Sequence, residues 1–223
     1  MMVGVLLAGG ASTRMKSPKA LAREGRASYM AIGVRHLWNA CATVVAVLGA
    51  NGTAIRKAVE EEFARLAESG ALQLELANAH KRGDPGFEVH FESNPRWKAG
   101  MLSSVQVGLR SALQLKPKGV LVLPVDHPGV SVATVNELAT VLEQAIAACR
   151  TPAERRAFAY ALVPRHRKRR GHPVAMSPAL AAAIAADRQA TDLSDAVRRS
   201  ARLVGYLDVD DPGILRNVNR PGG

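Results

Sequence analysis

The stretch Val3-Gly-Val-Leu-Leu-Ala-Gly-Gly10 decides the fold. It is a continuous apolar run rich in Val and Leu that stops at two glycines, the pattern of a strand buried on both faces of a parallel sheet. No basic region precedes it and a glycine loop follows instead of a small-residue cleavage site, so it reads as a core strand rather than a secretion signal. Thr43 to Leu48 repeats the pattern and closes at Gly49, and Gly119 to Val125 repeats it again and ends at Asp126. Helical spacing fills the intervals: Ser28 to Ala40, Thr53 to Ser69 with Glu60, Glu61, Glu62 and Arg65 on its outer face, Ser103 to Leu113, and about Ala133 to Ala148.

The second half continues the alternation. Ala157 to Pro164, Pro173 to Met176 and Leu203 to Val209 read as strands, Ala179 to Ala186 and Leu193 to Ser200 as helices, and a polar basic loop separates the first two strands. Leu72 to Ala77 and Phe87 to Glu92 are strand candidates around the turn-rich stretch His80 to Gly86. Strands alternating with helices of this length imply βαβ units with right-handed crossovers. The expected fold is therefore α/β, a mostly parallel sheet covered on both faces, whose ligands bind beyond the carboxyl ends of the strands.

Bulk properties set the outer limits. A chain of 223 residues, 48% apolar and 22% charged, suits one globular domain with a sizeable core. The net charge of +11 favours anionic ligands without choosing among nucleotides, phosphorylated metabolites and nucleic acid. Aromatic residues make up only 4%, too few for base-stacking platforms, and no nucleic-acid module signature is present, which disfavours the last of these. Cys41 and Cys149 lie far apart, against a disulfide framework or a cysteine metal site and in keeping with a reducing cytoplasm. No apolar run reaches the roughly 20 residues that cross a bilayer.

Chemistry concentrates at strand ends. Leu7-Ala-Gly-Gly-Ala-Ser-Thr-Arg-Met-Lys-Ser-Pro-Lys19 follows the first strand. Gly9 and Gly10 let backbone N–H groups approach an anion, while Arg14 and Lys19 add a bidentate donor and a point charge suited to a triphosphate. The spacing is neither that of a P-loop nor that of a dinucleotide fingerprint, so the phosphate grip is of another kind. Asn94-Pro-Arg-Trp-Lys-Ala-Gly-Met-Leu-Ser-Ser104 enters a helix, where Ser103 and Ser104 can cap it or donate to an anion at its positive end. Leu123-Pro-Val-Asp-His-Pro128 puts Asp126 at the end of a buried strand, as a magnesium ligand or as a turn former, with His127 read as a structural neighbour. Arg169-Arg-Gly-His-Pro173, with Arg165, Arg167 and Lys168, makes a dense cationic loop that can hold a phosphate or simply be solvated. Asp208-Val-Asp-Asp-Pro-Gly-Ile-Leu-Arg-Asn-Val-Asn-Arg-Pro221 closes the chain.

These segments together resemble the molybdenum cofactor nucleotidyltransferases, the MobA/MocA-like group within the nucleotide-sugar pyrophosphorylase-like enzymes. That family's opening signature, L-A-(G/A)-G-x-S-x-R-M-G-x-P-K, is matched from Leu7 to Lys19 with Lys16 in place of a frequent glycine. Its N-P-x-W-x-x-G-M-x-S-S, D-x-P and G-H-P segments are matched at residues 94–104, 126–128 and 171–173. The resemblance implies a Rossmann-like three-layer α/β/α sandwich of the nucleotide-diphospho-sugar transferase type, spanning residues 1–223 as a single domain. It implies a nucleotide site of Leu7, Ala8, Gly9, Gly10, Ser12, Arg14, Lys19, Ser103 and Ser104, catalytic roles for Arg14, Lys19 and Asp126, and an acceptor site at Gly171, His172 and Pro173. It implies Mg2+ held by Asp126 and Asn219. The chemistry implied is transfer of a nucleotidyl group from GTP or CTP to molybdopterin or molybdenum cofactor, with molybdoenzyme-maturation partners. A sugar phosphate or another phosphorylated metabolite as acceptor, and a nucleotide-binding homologue without turnover, stay open beside it. Two further departures stand out: Arg220 replaces the usual Thr after Asn219, and residues 70–91 exceed the usual link before Asn94, where an extra hairpin or an enlarged crossover is expected.

Overall fold

Three uninterrupted apolar runs form the centre of the sheet. In the computed structural model, which describes residues 1–10, 18–70 and 88–218, β1 (Met2–Ala8) lies between β4 (Thr43–Leu48) and β6 (Gly119–Pro124), parallel to both. Every residue of these strands is buried, as expected of strands covered on both faces. β5 (Val89–Ser93) extends the sheet parallel to β4. On the other side β9 (Val174–Met176) runs antiparallel between β6 and β7 (Tyr160–His166), and β10 (Leu203–Asp208) pairs parallel with β7 at the edge. The order is β10-β7-β9-β6-β1-β4-β5, with the short β8 (Arg169–Arg170) antiparallel to β7. A small separate hairpin pairs β2 (Arg23–Glu24) with β3 (Ala27–Ser28).

Alternation along β1 sorts the core into two layers. Met2, Leu6 and Ala8 face α1 (Tyr29–Trp38), α2 (Gly52–Glu68) and α4 (Val132–Ala147), while Val3, Val5 and Leu7 face α3 (Met101–Gln114), α6 (Pro178–Ala186) and α7 (Leu193–Ser200). Helices on both faces make three layers, so the expected α/β class and mostly parallel sheet hold.

Several elements end where the side chains dictate. Ser28 accepts from the Ala31 N–H and Ser131 from the Thr134 N–H, closing the first turns of α1 and α4. A capping box, Thr151 with Glu154, starts the short α5 (Pro152–Ala157), an element the periodicity does not predict. The basic stretch expected as a loop contains β8 instead, returned by a two-residue turn at Arg167 and Lys168. Neither cysteine forms a disulfide. The expected strand at Leu72 to Ala77 lies outside the described residues. Among the described residues no helix is long and apolar enough to cross a membrane.

Candidate active site

The carboxyl ends of β1, β4 and β6 finish in register, Ala8 beside Leu48 and Leu7 beside Pro124, so the loops after them share one sheet edge. The first two loops lie backbone on backbone. A Cβ on Gly49 would overlap the Gly9 carbonyl oxygen, so the crossing needs glycine there, and a Cβ on Gly9 would fall 2.5 Å from the Ser104 Oγ, which would have to turn away. Gly10, one residue further, is exposed and faces open space. Leu7 and Ala8 are buried, and the Leu7 carbonyl accepts from the Val125 N–H, tying the opening loop to the segment that carries Asp126.

Asn94 organises the neighbouring corner. It is fully buried; its N–H donates to the Leu48 carbonyl at 2.7 Å, and its side-chain amide donates to both the Ser103 and Ser104 hydroxyls at 2.9 Å. The Arg96 N–H closes the remaining valence at Asn94 Oδ1. Ser103 in turn donates within reach of the Gly100 and Arg96 carbonyls. Neither serine is the N-cap of α3; that position belongs to Gly100, whose φ of 100° demands glycine. Sequence reasoning quoted Asn94 but assigned it no role, because a residue that acts by bridging two segments has no local signature.

Asp126 follows β6 and turns toward the opening loop. Its Oδ2 is 3.3 Å from Lys19 Nζ, across 107 positions of sequence, and both side chains keep about a fifth of their surface exposed. The Asp126 carbonyl accepts from the Val218 N–H at 2.9 Å, which brings the chain's closing segment to the same place. Of the candidate residues, Leu7, Ala8, Gly9, Gly10, Lys19, Ser103, Ser104, Asp126, Gly171, His172 and Pro173 are described; Ser12, Arg14 and Asn219 lie outside the described residues.

His127 is packed between Asp126 and His172. Its ring meets that of His172 edge-on, centroids 4.8 Å apart, and its Nε2 is 4.0 Å from Asp126 Oδ1. Burial pushes the His172 pKa down to about 4, with the neighbouring His127 adding to this and Asp126 opposing it. Burial likewise lowers the pKa of His127, against the pull of Asp126. Both shifts favour the neutral ring, and the Nδ1 of each lacks a hydrogen-bond partner among the described residues. Gly171 and His172 are held by hydrogen bonds to Pro164 and Ile214, and Ile214 sits in the 3-10 turn Pro212–Leu215. That turn is pinned by Asp211, which accepts from the Ser131 N–H, the Thr134 hydroxyl and the Gly213 N–H. Burial works against ionisation of Asp211, yet these donors outweigh it and keep its pKa below the usual carboxylate value.

The donor set fits a hard divalent cation shared with a ligand. Among the described residues no three His, Cys, Asp or Glu side chains converge, so a cage made of protein alone is absent there. A lone, partly exposed carboxylate already facing a cation suits magnesium, which takes one or two carboxylates and fills its remaining positions with phosphate oxygens and water.

Comparison with known proteins gives this arrangement its family. The model of the MobA-like NTP transferase domain matches residues 4–203. The chain belongs to the MobA-like NTP transferase family. It is thereby a nucleotidyltransferase. A relative 30% identical over 225 residues, spanning 98% of this chain and 92% of its own length, is the nicotine blue oxidoreductase of Paenarthrobacter nicotinovorans. Among solved structures, Rv0371c of Mycobacterium tuberculosis superposes with a TM-score of 0.64 at 19% identity, over 93% of this chain and 88% of that one. The same mycobacterial protein has also been solved in complex with manganese. Molybdopterin-guanine dinucleotide biosynthesis protein A of Archaeoglobus fulgidus superposes with a TM-score of 0.58 at 17% identity, over 99% and 93% of the two chains. At these identities the superpositions establish the shared architecture of this MobA-like chain.

Proposed function

We propose that the chain transfers a nucleoside monophosphate from GTP or CTP to a phosphorylated acceptor, molybdopterin or molybdenum cofactor, in a magnesium-dependent reaction that releases pyrophosphate. One observation carries the reading: the Lys19 ammonium and the Asp126 carboxylate meet at 3.3 Å beside the Gly9–Gly10 loop. Lys19, with Arg14 and the loop amides, holds the triphosphate, while Asp126 and Asn219 hold Mg2+, which when bound neutralises phosphate charge. In the free protein Lys19 and Asp126 neutralise each other; arrival of the nucleotide gives each its own partner. An ionised phosphate oxygen of the acceptor forms the bond to the α-phosphorus as the bond to the β-phosphate oxygen breaks, and pyrophosphate leaves with that electron pair. The attacking oxygen carries no proton to remove, so positioning and charge neutralisation suffice without a general base. Gly171, His172 and Pro173 line the acceptor side. Ser103 and Ser104 support the loop crossing from below, with Asn94 setting their hydroxyls.

The test is pyrophosphate release measured across GTP, CTP, ATP and UTP with candidate acceptors, among them molybdopterin and sugar phosphates. Release that requires both magnesium and one acceptor supports the reading; tight nucleotide binding without release identifies a homologue that has lost turnover. A second reading follows from the 30% relative, whose name denotes an oxidoreductase. A redox conversion of nicotine blue catalysed by the chain, in the absence of any pyrophosphate release, would favour it.

A further inference from the structure

The β7–β8 hairpin stands at the same sheet edge as Asp126 and is built unlike its surroundings. β7 runs parallel to β6, so its turn projects past the carboxyl edge, and β8 brings the chain back through Gly171 to His172, whose ring touches His127. Its stalk is braced. Arg165 forms a bidentate pair with Asp208 at 3.0 and 2.8 Å, and the guanidinium groups of Arg165 and Arg170 lie 4.8 and 5.6 Å from the centre of the Tyr206 ring.

The tip is the opposite. Arg167, Lys168 and Arg169 are exposed, and among the described residues no hydrogen bond or ion pair engages their side chains. Arg167 and Lys168 occupy the two central places of the turn with φ of 49° and 66°. A two-residue hairpin turn of this hand favours Asn-Gly, since positive φ strains residues that carry a long side chain. The fold therefore holds two unpaired cations in an unfavourable backbone conformation at the rim of its own site.

We infer that this tip clamps a second anionic group of the acceptor, remote from the phosphate that reacts. The inference rests on the transferase reading for the identity of the acceptor site. β6 and β7 are two strand spacings apart, about 10 Å, which sets the distance between the two anions. The acceptor class is accordingly an elongated dianion, with its reacting phosphate on the Gly171–Pro173 side of Asp126 and a second anionic group beneath Arg167, Lys168 and Arg169.

The experiment is calorimetric titration of the full chain with hexane-1,6-bisphosphonate and with hexylphosphonate, at fixed ionic strength and without nucleotide. The bisphosphonate should bind at least tenfold more tightly. The double variant Arg167→Asn/Lys168→Gly should lose most of that preference while melting higher than the parent, since it installs the turn's favoured pair. Arg169→Gln, which leaves the turn untouched, should lose part of the preference and covers the case in which the double variant does not fold. Arg26→Asn/Arg65→Asn removes two positive charges far from the hairpin and should retain the preference. Equal affinity for the two probes, no binding of either at millimolar concentration, or equal losses in the tip and remote variants would overturn the inference. The titration needs no turnover, so a chain that binds as expected yet releases no pyrophosphate would remove the transferase reading and leave the anion clamp standing.

Discussion

The two sides of the carboxyl edge differ in how far they use up their own polar groups. Beside β4 and β5, Asn94, Ser103 and Ser104 satisfy one another, and Gly9 and Gly49 pack backbone to backbone. Beside β6 and β7, among the described residues, His127 and His172 each keep an Nδ1 without a partner, and the cations at the hairpin tip have none. Buried polar groups ordinarily find partners, so a region that bonds itself is scaffold and one that does not is shaped for something that arrives. The lesson is that the start of the opening loop is positioned by its closed neighbour, while the open side carries the groups that the proposed reaction would draw on.

This contrast can be broken first at its tightest point. Gly49→Ala places a methyl against the Gly9 carbonyl, which no rotamer change relieves, and should destabilise the fold by about 3 kcal/mol, as overpacking does at its upper end. Gly9→Ala meets only the end of the Ser104 side chain, so its smaller loss should be partly rescued by Ser104→Ala in a double-mutant cycle. Equal costs for Gly49→Ala and Gly9→Ala in urea unfolding would show that the two loops do not cross as described.

The open side should declare itself through pH. His172 has its folded pKa lowered from 6.5 to about 4, so the unfolded chain takes up its proton first. Its stabilising contribution is complete above pH 6.5 and disappears as pH falls toward 4, a loss of about 3 kcal/mol at most. Melting curves across that window should slope downward with acid, and His172→Phe should flatten them. On the closed side, Asn94→Ala leaves the Ser103 and Ser104 hydroxyls without their donor and the Arg96 N–H without its acceptor, costing about 2 kcal/mol, with no such pH dependence. The smallest effect is a gain. Arg167→Asn/Lys168→Gly should stabilise by about 1 kcal/mol, raising the melting point by roughly 2–4 °C in a chain of this size.

Legibility follows the same division. β1, β4 and β6 were readable to within about a residue because strands buried on both faces are written as unbroken apolar runs that stop at glycine or a turn. The position of Asp126 at the sheet edge was readable from its place at the end of such a run. β8 was not, because its turn is made of Arg167 and Lys168 where hairpin signals call for Asn and Gly. The antiparallel insertion of β9 is also silent in sequence, since three buried residues carry no direction. Asn94 and the His127–His172 contact escaped because long-range bridging leaves no periodic trace. Thr151 and Glu154 did carry the signature of a capping box, so α5 was within reach of a closer reading.

The central claim is that Asp126 and Lys19 separate onto magnesium and triphosphate when the nucleotide binds. Its most direct test is calorimetric titration of GTP and CTP, with and without magnesium, into the parent chain and Asp126→Asn. The account predicts that magnesium tightens binding of the preferred nucleotide to the parent at least tenfold and does nothing for the variant. Magnesium tightening binding equally in both chains would contradict it.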